Sequence, residues 1–142
     1  MQKLIGITFV GVLLLTASGC SNRAKAEKVV EEMLSILQQF NDTLASVKDK
    51  DSAKAAASKL DQLGQQIKAL AEKNKDLKIT KDDEKYLEEK FKPKFDEIGK
   101  TLSQTAMKAG LASMGEPTFM KAIQNFGASA QEAQNIMKAN EK

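Results

Sequence analysis

Few side chains in this chain can do chemistry. Its 142 residues include one cysteine, Cys20, one tyrosine, Tyr86, and no histidine or tryptophan. Without histidine, a Ser-His-Asp or Cys-His catalytic site cannot be built. Zinc sites with histidine ligands and histidine-ligated haem are excluded for the same reason. Carboxylates, lysine amines and one phenol remain, so we expect a protein that is not an enzyme and binds no metal and no cofactor.

Cys20 stands at the end of an uncharged segment near the N-terminus. Lys3 supplies one positive charge, and thirteen mostly apolar residues follow from Leu4 to Thr16. The small residues Ala17-Ser18-Gly19 then lead to Cys20. A positively charged start, an apolar stretch of this length and small residues at its end are the three parts of a cleavable signal peptide.

The run Ala17-Ser18-Gly19-Cys20 resembles the lipobox of bacterial lipoproteins, with Ala17 where leucine is usual. The resemblance covers residues 1–20 only. It implies cleavage before Cys20, a thioether from the Cys20 sulfur to diacylglycerol, and a fatty acyl chain such as palmitate on the new amine. The chain would then divide into a signal peptide at 1–19, a lipidated tether at 20–23 and one domain at 24–142.

The residue after Cys20 bears on location. Lipoproteins of two-membrane envelopes that carry Asp there tend to stay in the inner membrane, whereas this chain has Ser21. The resemblance therefore implies the periplasmic face of the outer membrane, or the cell surface if the source has one membrane.

Two alternatives to the lipoprotein interpretation remain open. The uncharged stretch from Leu4 to Asn22 could span a bilayer as an uncleaved anchor, and cleavage after Ala17 would release a soluble secreted protein.

Composition limits what the mature chain can be. The 123 residues from Cys20 to Lys142 are enough for one domain. Loss of Lys3 leaves 21 basic groups against 19 acidic groups, a net charge of +2, which does not indicate a nucleic-acid partner. With a single cysteine no internal disulfide can form, so an apolar core must stabilise the fold.

Apolar residues recur at alternating steps of three and four in four segments, which predicts four amphipathic helices. In the first two segments the predicted core positions are Val30, Met33, Leu37, Phe40, Leu44 and Val47, then Ala53, Ala56, Leu60, Leu63, Ile67 and Leu70. In the last two they are Leu87, Phe91, Phe95, Ile98, Leu102, Ala106 and Ala109, then Phe119, Ile123, Phe126, Ala130, Ala133 and Met137. Methionines are expected to fill gaps in this core.

Polar and turn-forming residues separate these segments. Asp51 or Ser52 is the expected N-cap of the second helix, and Thr80 that of the third. Pro93 lies inside the third segment and predicts a kink or a break there.

The turn after the third segment is expected to place Gly115 at its C-cap and Pro117 at the first position of the fourth. Connections this short join antiparallel neighbours, so the sequence predicts an all-α, antiparallel up-down-up-down four-helix bundle after a cleaved N-terminal signal.

Charge is distributed unevenly along the chain. Residues 72–94 hold 15 charged groups in 23, of both signs, which favours a solvated surface. Residues 101–137 hold only four in 37, with Gln and Asn at positions expected to face outward. Because the centres of protein interfaces are depleted in charge, this segment predicts a partner-binding surface, with Gln124, Gln131 and Gln134 as candidate contacts. Alternatively, its small residues could let the third and fourth helices pack tightly together.

These features favour a membrane-tethered, non-catalytic binding or scaffold module of the cell envelope. Its expected partners are the lipid bilayer, through Cys20, and a protein. The alternative is a carrier of a small apolar ligand, with a pocket in the bundle core lined by Phe91, Phe95 and Phe126.

Overall fold

The structure is a computed structural model that describes residues 22–138. Four helices of 24, 24, 32 and 22 residues follow one another: α1 Asn22–Ala45, α2 Lys50–Lys73, α3 Lys81–Ala112 and α4 Pro117–Lys138. No strand occurs within residues 22–138. The predicted all-α four-helix bundle is therefore confirmed.

The predicted signal peptide and Cys20 lie outside the described residues. Asn22 and Arg23, which were assigned to the tether, lie in α1.

Successive helices run in opposite directions, yet the closest pairs are α2 with α4 and α1 with α3. The side-chain links between α1 and α3 join their first turns, so these two helices run the same way. Asp61 and Lys68 of α2 likewise meet Asn125 and Glu132 of α4 in the same order. The start of α1 and residues 74–80 thus form one end of the bundle, here called the proximal end. Residues 46–49 and 113–116 form the distal end.

Small residues let α2 and α4 approach each other closely. A Cβ atom on Gly64 would stand 3.1 Å from the Oγ of Ser129 and 3.5 Å from the Cα of Phe126. Ala122 and Ala133 of α4 are also buried. By contrast, α3 and α4 are not one of the close helix pairs. The interpretation that small residues pack α3 tightly onto α4 is therefore wrong, because that packing is made by α4 and α2.

The main core follows the spacing read from the sequence. All six apolar positions predicted in α2 are buried, and Phe40 of α1 stacks on Phe126 of α4 with ring centroids 3.9 Å apart. A second apolar cluster lies between α1 and the first turns of α3 at the proximal end. It includes Ala26, Leu34 and Ile79, which the spacing did not identify.

Pro93 does not interrupt α3, which runs without a break from Lys81 to Ala112. Its side chain is exposed. Proline removes one backbone hydrogen bond from a helix interior, and here the burial of Phe91 on one side and Leu102 on the other holds the helix together across that loss. The expected break is therefore absent.

The helix ends are capped by side chains. Thr80 caps α3 as predicted, and its hydroxyl accepts a hydrogen bond from the Asp83 backbone N–H. The cap of α2 is Asp49, so the expectation of Asp51 or Ser52 was wrong. Ser52 is instead the third helical residue, and it completes a reciprocal capping box with Asp49.

Pro117 opens α4 as predicted. The C-cap of α3 is Ser113 in right-handed geometry, two residues before the expected Gly115. Met114 and Gly115 then take the left-handed backbone that reverses the chain, with φ of 49° and 71°.

Leu63 provides a direct test of this core, because its side chain is fully buried among α1, α2 and α4. Leu63→Ala should lower the free energy of unfolding by about 2–5 kcal/mol, from lost transfer energy plus the cavity left behind. Denaturant unfolding measures this loss. Gln62→Ala on the exposed side of the same helix is the control, and a loss for Leu63→Ala no greater than the control's would contradict the core position.

Candidate functional site: a proximal clamp and a charge-poor distal surface

The first residues of α1, directly after the predicted anchor, are bound to the start of α3 and the residues before it. Asn22 donates a hydrogen bond through Nδ2 to the carbonyl oxygen of Lys78, at 2.8 Å. Arg23 donates to Asp83, with which it forms an ion pair. Only Ser21 separates Cys20 from α1, so these contacts hold the first helical turn against the start of α3.

Asp83 is the centre of this proximal clamp. It is buried, with a relative exposure of 7%. The Arg23 guanidinium holds the pKa of the Asp83 carboxyl below its ordinary value, and hydrogen bonds from Thr80 act in the same direction. The Asp83 carboxylate therefore serves two structures at once, the Thr80 cap of α3 and the link to α1.

A second link lies one turn further along. Lys90 of α3 pairs with Glu27 of α1 at 3.0 Å. The hydrogen bond from Lys90, followed by that from Tyr86, lowers the pKa of Glu27. Arg23 and Lys90 lie 4.9 and 5.5 Å from the centre of the Tyr86 ring. Tyr86, the one phenol in the sequence, therefore lies between the Arg23–Asp83 and Glu27–Lys90 ion pairs. These ion pairs and the cation–π contacts to the Tyr86 ring bind α1 to α3.

Two of the four charged residues in segment 101–137, Glu116 and Glu132, interact with other groups in the structure. Glu116 is buried, and its carboxylate accepts a hydrogen bond from the backbone N–H of Phe119 at 2.7 Å. That bond lowers the pKa of Glu116 and caps the start of α4. Glu132 pairs with Lys68 at 2.7 Å. Lys108 and Lys121 form no ion pair with any described residue, so the free charges on this surface are both positive.

The structure brings the three candidate glutamines to one side of α4. Gln124 and Gln131 are exposed and two turns apart, which places them on one face. Gln134 is half-buried, and its Oε1 accepts a hydrogen bond from Gln131 at 3.4 Å. Gln124 and Gln131 are therefore exposed to solvent on one face, whereas Gln134 is half-buried beside Gln131.

The most exposed apolar residues lie near the distal end and were missed by sequence reasoning. Met107, Leu111 and Met114 are 69%, 76% and 76% exposed, and Met120 is 40% exposed. We expected methionines to fill the core. Met33 is buried as expected, whereas Met107, Met114 and Met120 are exposed.

The helical spacing could have revealed the position of Met107 and Leu111. Ala109 faces the core, and residues two positions before or after it lie about 200° away around the helix. That rotation points Met107 and Leu111 away from the bundle. The core-facing positions of α3 near this end are alanines, Ala106 and Ala109, and they hid the signal because methionine and leucine are the larger apolar residues nearby.

A groove of ≈ 630 Å³ runs between α1 and α3. Polar and charged residues line it together with Leu34 and Ile98, and they include Glu31, Gln38 and Asn41 of α1 with Lys94 and Glu97 of α3. The buried Oδ1 atom of Asn41 accepts no hydrogen bond from the described residues. This open, polar groove differs from the enclosed apolar pocket that the carrier alternative requires.

No protein-family model matches the chain, and no similar curated protein or solved structure was found. Within residues 22–138, no helix is both long and apolar enough to cross a bilayer. The same residues contain no group of three or more His, Cys, Asp or Glu side chains that could hold a metal ion.

The proximal clamp predicts a pH-dependent contribution to stability. The folded-state pKa of Asp83 lies below its ordinary value of 3.8, so the ionised carboxyl stabilises the fold above that value and the contribution is lost as pH falls through the lower, folded pKa. Asp83→Asn keeps an acceptor for Thr80 but removes the charge. The difference in unfolding free energy between wild type and Asp83→Asn should therefore be full at neutral pH and shrink in acid.

Urea unfolding at several pH values measures this difference. Asp82→Asn is the matched control, because Asp82 is the neighbouring exposed carboxyl in the same first turn. An Asp83→Asn difference that stays constant into strong acid would show that the Arg23 ion pair does not stabilise the fold.

Proposed function

We propose that the chain is a lipid-anchored lipoprotein of the cell envelope that acts as a non-catalytic binding or scaffold module for a protein partner. The observation that carries this proposal is the charge-poor surface of residues 101–137. Its two carboxylates, Glu116 and Glu132, form a helix cap and an ion pair, while methionine, leucine and glutamine side chains remain exposed. Interfaces have centres depleted in charge and enriched in methionine.

The location of the predicted anchor supports a tethered role. With α1 starting two residues after Cys20, a lipid on that cysteine holds the proximal end within about 7 Å of the bilayer surface, the reach of two extended residues. The 24 residues of α1 then place the distal end about 36 Å from that surface, at 1.5 Å per residue. The exposed apolar side chains would face outward from the membrane. From Ser21 rather than Asp after Cys20, we propose the periplasmic face of an outer membrane.

Lipid attachment can be tested by metabolic labelling with a fatty-acid analogue. The wild-type chain should be labelled, and Cys20→Ala should not, because the thioether and the new N-terminus both depend on that cysteine. Ser21→Ala is the matched control and should be labelled like the wild type. Equal labelling of wild type and Cys20→Ala would exclude the lipoprotein.

The α4 surface can be tested by charge. Gln124→Glu and Gln131→Lys should leave the melting curve unchanged, because both side chains are exposed. Capture of a protein partner from membranes should weaken by about tenfold or more for each variant, since an unpaired charge buried at an interface costs several kcal/mol. Gln62→Lys, on the exposed side of α2, is the control. Undiminished capture by both variants would remove these two glutamines from the interface.

A further inference from the structure

The C-terminal half of α3 is apolar on two opposite sides. On one side Leu102 and Ala109 are buried against the other helices. On the other, Met107 and Leu111 stand one turn apart and are more than two-thirds exposed. Met114 continues this row just beyond the helix end. A helix with two apolar sides normally packs on both, whereas this one packs closely only on α1.

The outward row, Met107, Leu111 and Met114, is here called the distal ridge. Met107 and Leu111 are spaced i and i+4, as neighbouring anchors are in helix-to-groove and helix-to-helix recognition, and the exposed Met114 follows just after the helix end. Methionine is flexible and polarisable, and it is common on surfaces that accommodate a partner helix. Beside Leu111, Gly110 has no atom within 4 Å of where a Cβ would stand, so another backbone can come close there.

The charges beside the distal ridge have one sign. Between Glu97 and Glu116 the only charged residues are Lys100 and Lys108. Both are exposed, and neither forms an ion pair with any residue in the described part of the chain. Glu116 is buried in its cap and offers no neutralising charge at the surface. The ridge is therefore an apolar row flanked by two lysines that form no ion pair with a described residue, and the nearest carboxylates before them on α3 are Asp96 and Glu97, one turn before Lys100.

We propose that the distal ridge binds an amphipathic α-helix of a partner protein, with an apolar row that packs on Met107 and Leu111 and acidic residues that meet Lys100 and Lys108. This inference rests on the proposed function and specifies the partner's chemistry. Acidic flanks would raise the rate of encounter and fix the orientation of the helix on the ridge.

Two other occupants fit the observations less well. In a symmetric dimer each surface meets its own copy, so the two ridges would bring the Lys108 side chains of both copies to one interface, where like charges repel. The bilayer that holds a lipid on Cys20 lies at the proximal end, about 36 Å away along α1 at 1.5 Å per residue. A protein helix with acidic flanks can bury the apolar side chains of the ridge and place carboxylates near Lys100 and Lys108.

Site-specific photocrosslinking in the source cells tests the proposal with the full-length chain. A benzophenone-bearing amino acid is placed singly at positions 107 and 111, at 124 and 131 on α4, and at the control position 62 on α2. Positions 107 and 111 should yield protein adducts well above position 62. Mass spectrometry of the linked peptide should identify a segment with apolar residues at helical spacing and acidic residues beside them.

Charge reversal provides the second measurement. Lys100→Glu with Lys108→Glu should reduce the adducts from positions 107 and 111 by about tenfold, because two attractive contacts become repulsive. Lys28→Glu with Lys59→Glu makes the same change in net charge on the exposed sides of α1 and α2 and should leave the adducts unchanged. Melting curves of both double variants check that the bundle remains folded.

The possible failures separate this inference from the proposed function. Protein adducts from positions 124 and 131 alone would leave a partner-binding module in place and overturn the ridge as its contact. Adducts of the ridge with lipid only, or with a second copy of the chain only, would overturn the proposed occupant. Adducts no stronger than those of position 62 at every site would overturn both proposals. Equal reduction by the two charge reversals would show that the flanking lysines do not select the partner.

Discussion

The close contact between α2 and α4 sets the arrangement of the whole bundle. Gly64 removes the side chain that would otherwise meet Ser129 and the backbone at Phe126, and the helices can then bury alanines as well as larger residues between them. Because α2 also packs on α1, it occupies the centre and carries the main core. With α4 committed to α2, α3 has only α1 as a close neighbour, and the outer side of α3 remains uncovered.

The sequence predicted much of the fold, because the relevant signals are local. All six α2 positions predicted from the alternation of three and four residues are buried, although the buried Ala57 and Ala71 were not among them. Thr80 and Pro117 marked helix starts that the structure confirms. The α2 cap was misplaced because Asp49, Asp51 and Ser52 all have suitable side chains. Only the reciprocal bonds between Asp49 and Ser52 distinguish them. Pro93 was expected to kink or break α3, and α3 is unbroken because burial of apolar residues on both sides of Pro93 outweighs one missing hydrogen bond.

Which helices of the bundle pack closely on each other could not be predicted in the same way. Small residues in α3 and α4 show that some close approach occurs, but not which helix approaches. The structure assigns the close contact of α4 to α2, where Gly64 lies opposite Ser129. For the candidate surface, the sequence identified the scarcity of charge and the exposed Gln124 and Gln131. It missed Met107 and Leu111: helical spacing relative to Ala109 indicates that they point away from the bundle, but only the absence of a second close neighbour beside α3 leaves them exposed.

The two ends of the bundle use their carboxylates differently. At the proximal end, Asp83 and Glu27 meet Arg23 and Lys90, so acidic and basic groups neutralise one another across α1 and α3. At the distal end, Asp49 and Glu116 accept hydrogen bonds from backbone N–H groups at helix starts, and Lys100 and Lys108 are left without partners. The bonds that cap the helices hold these two carboxylates at helix starts. The acidic groups therefore bind basic side chains at the proximal end and backbone N–H groups at the distal end.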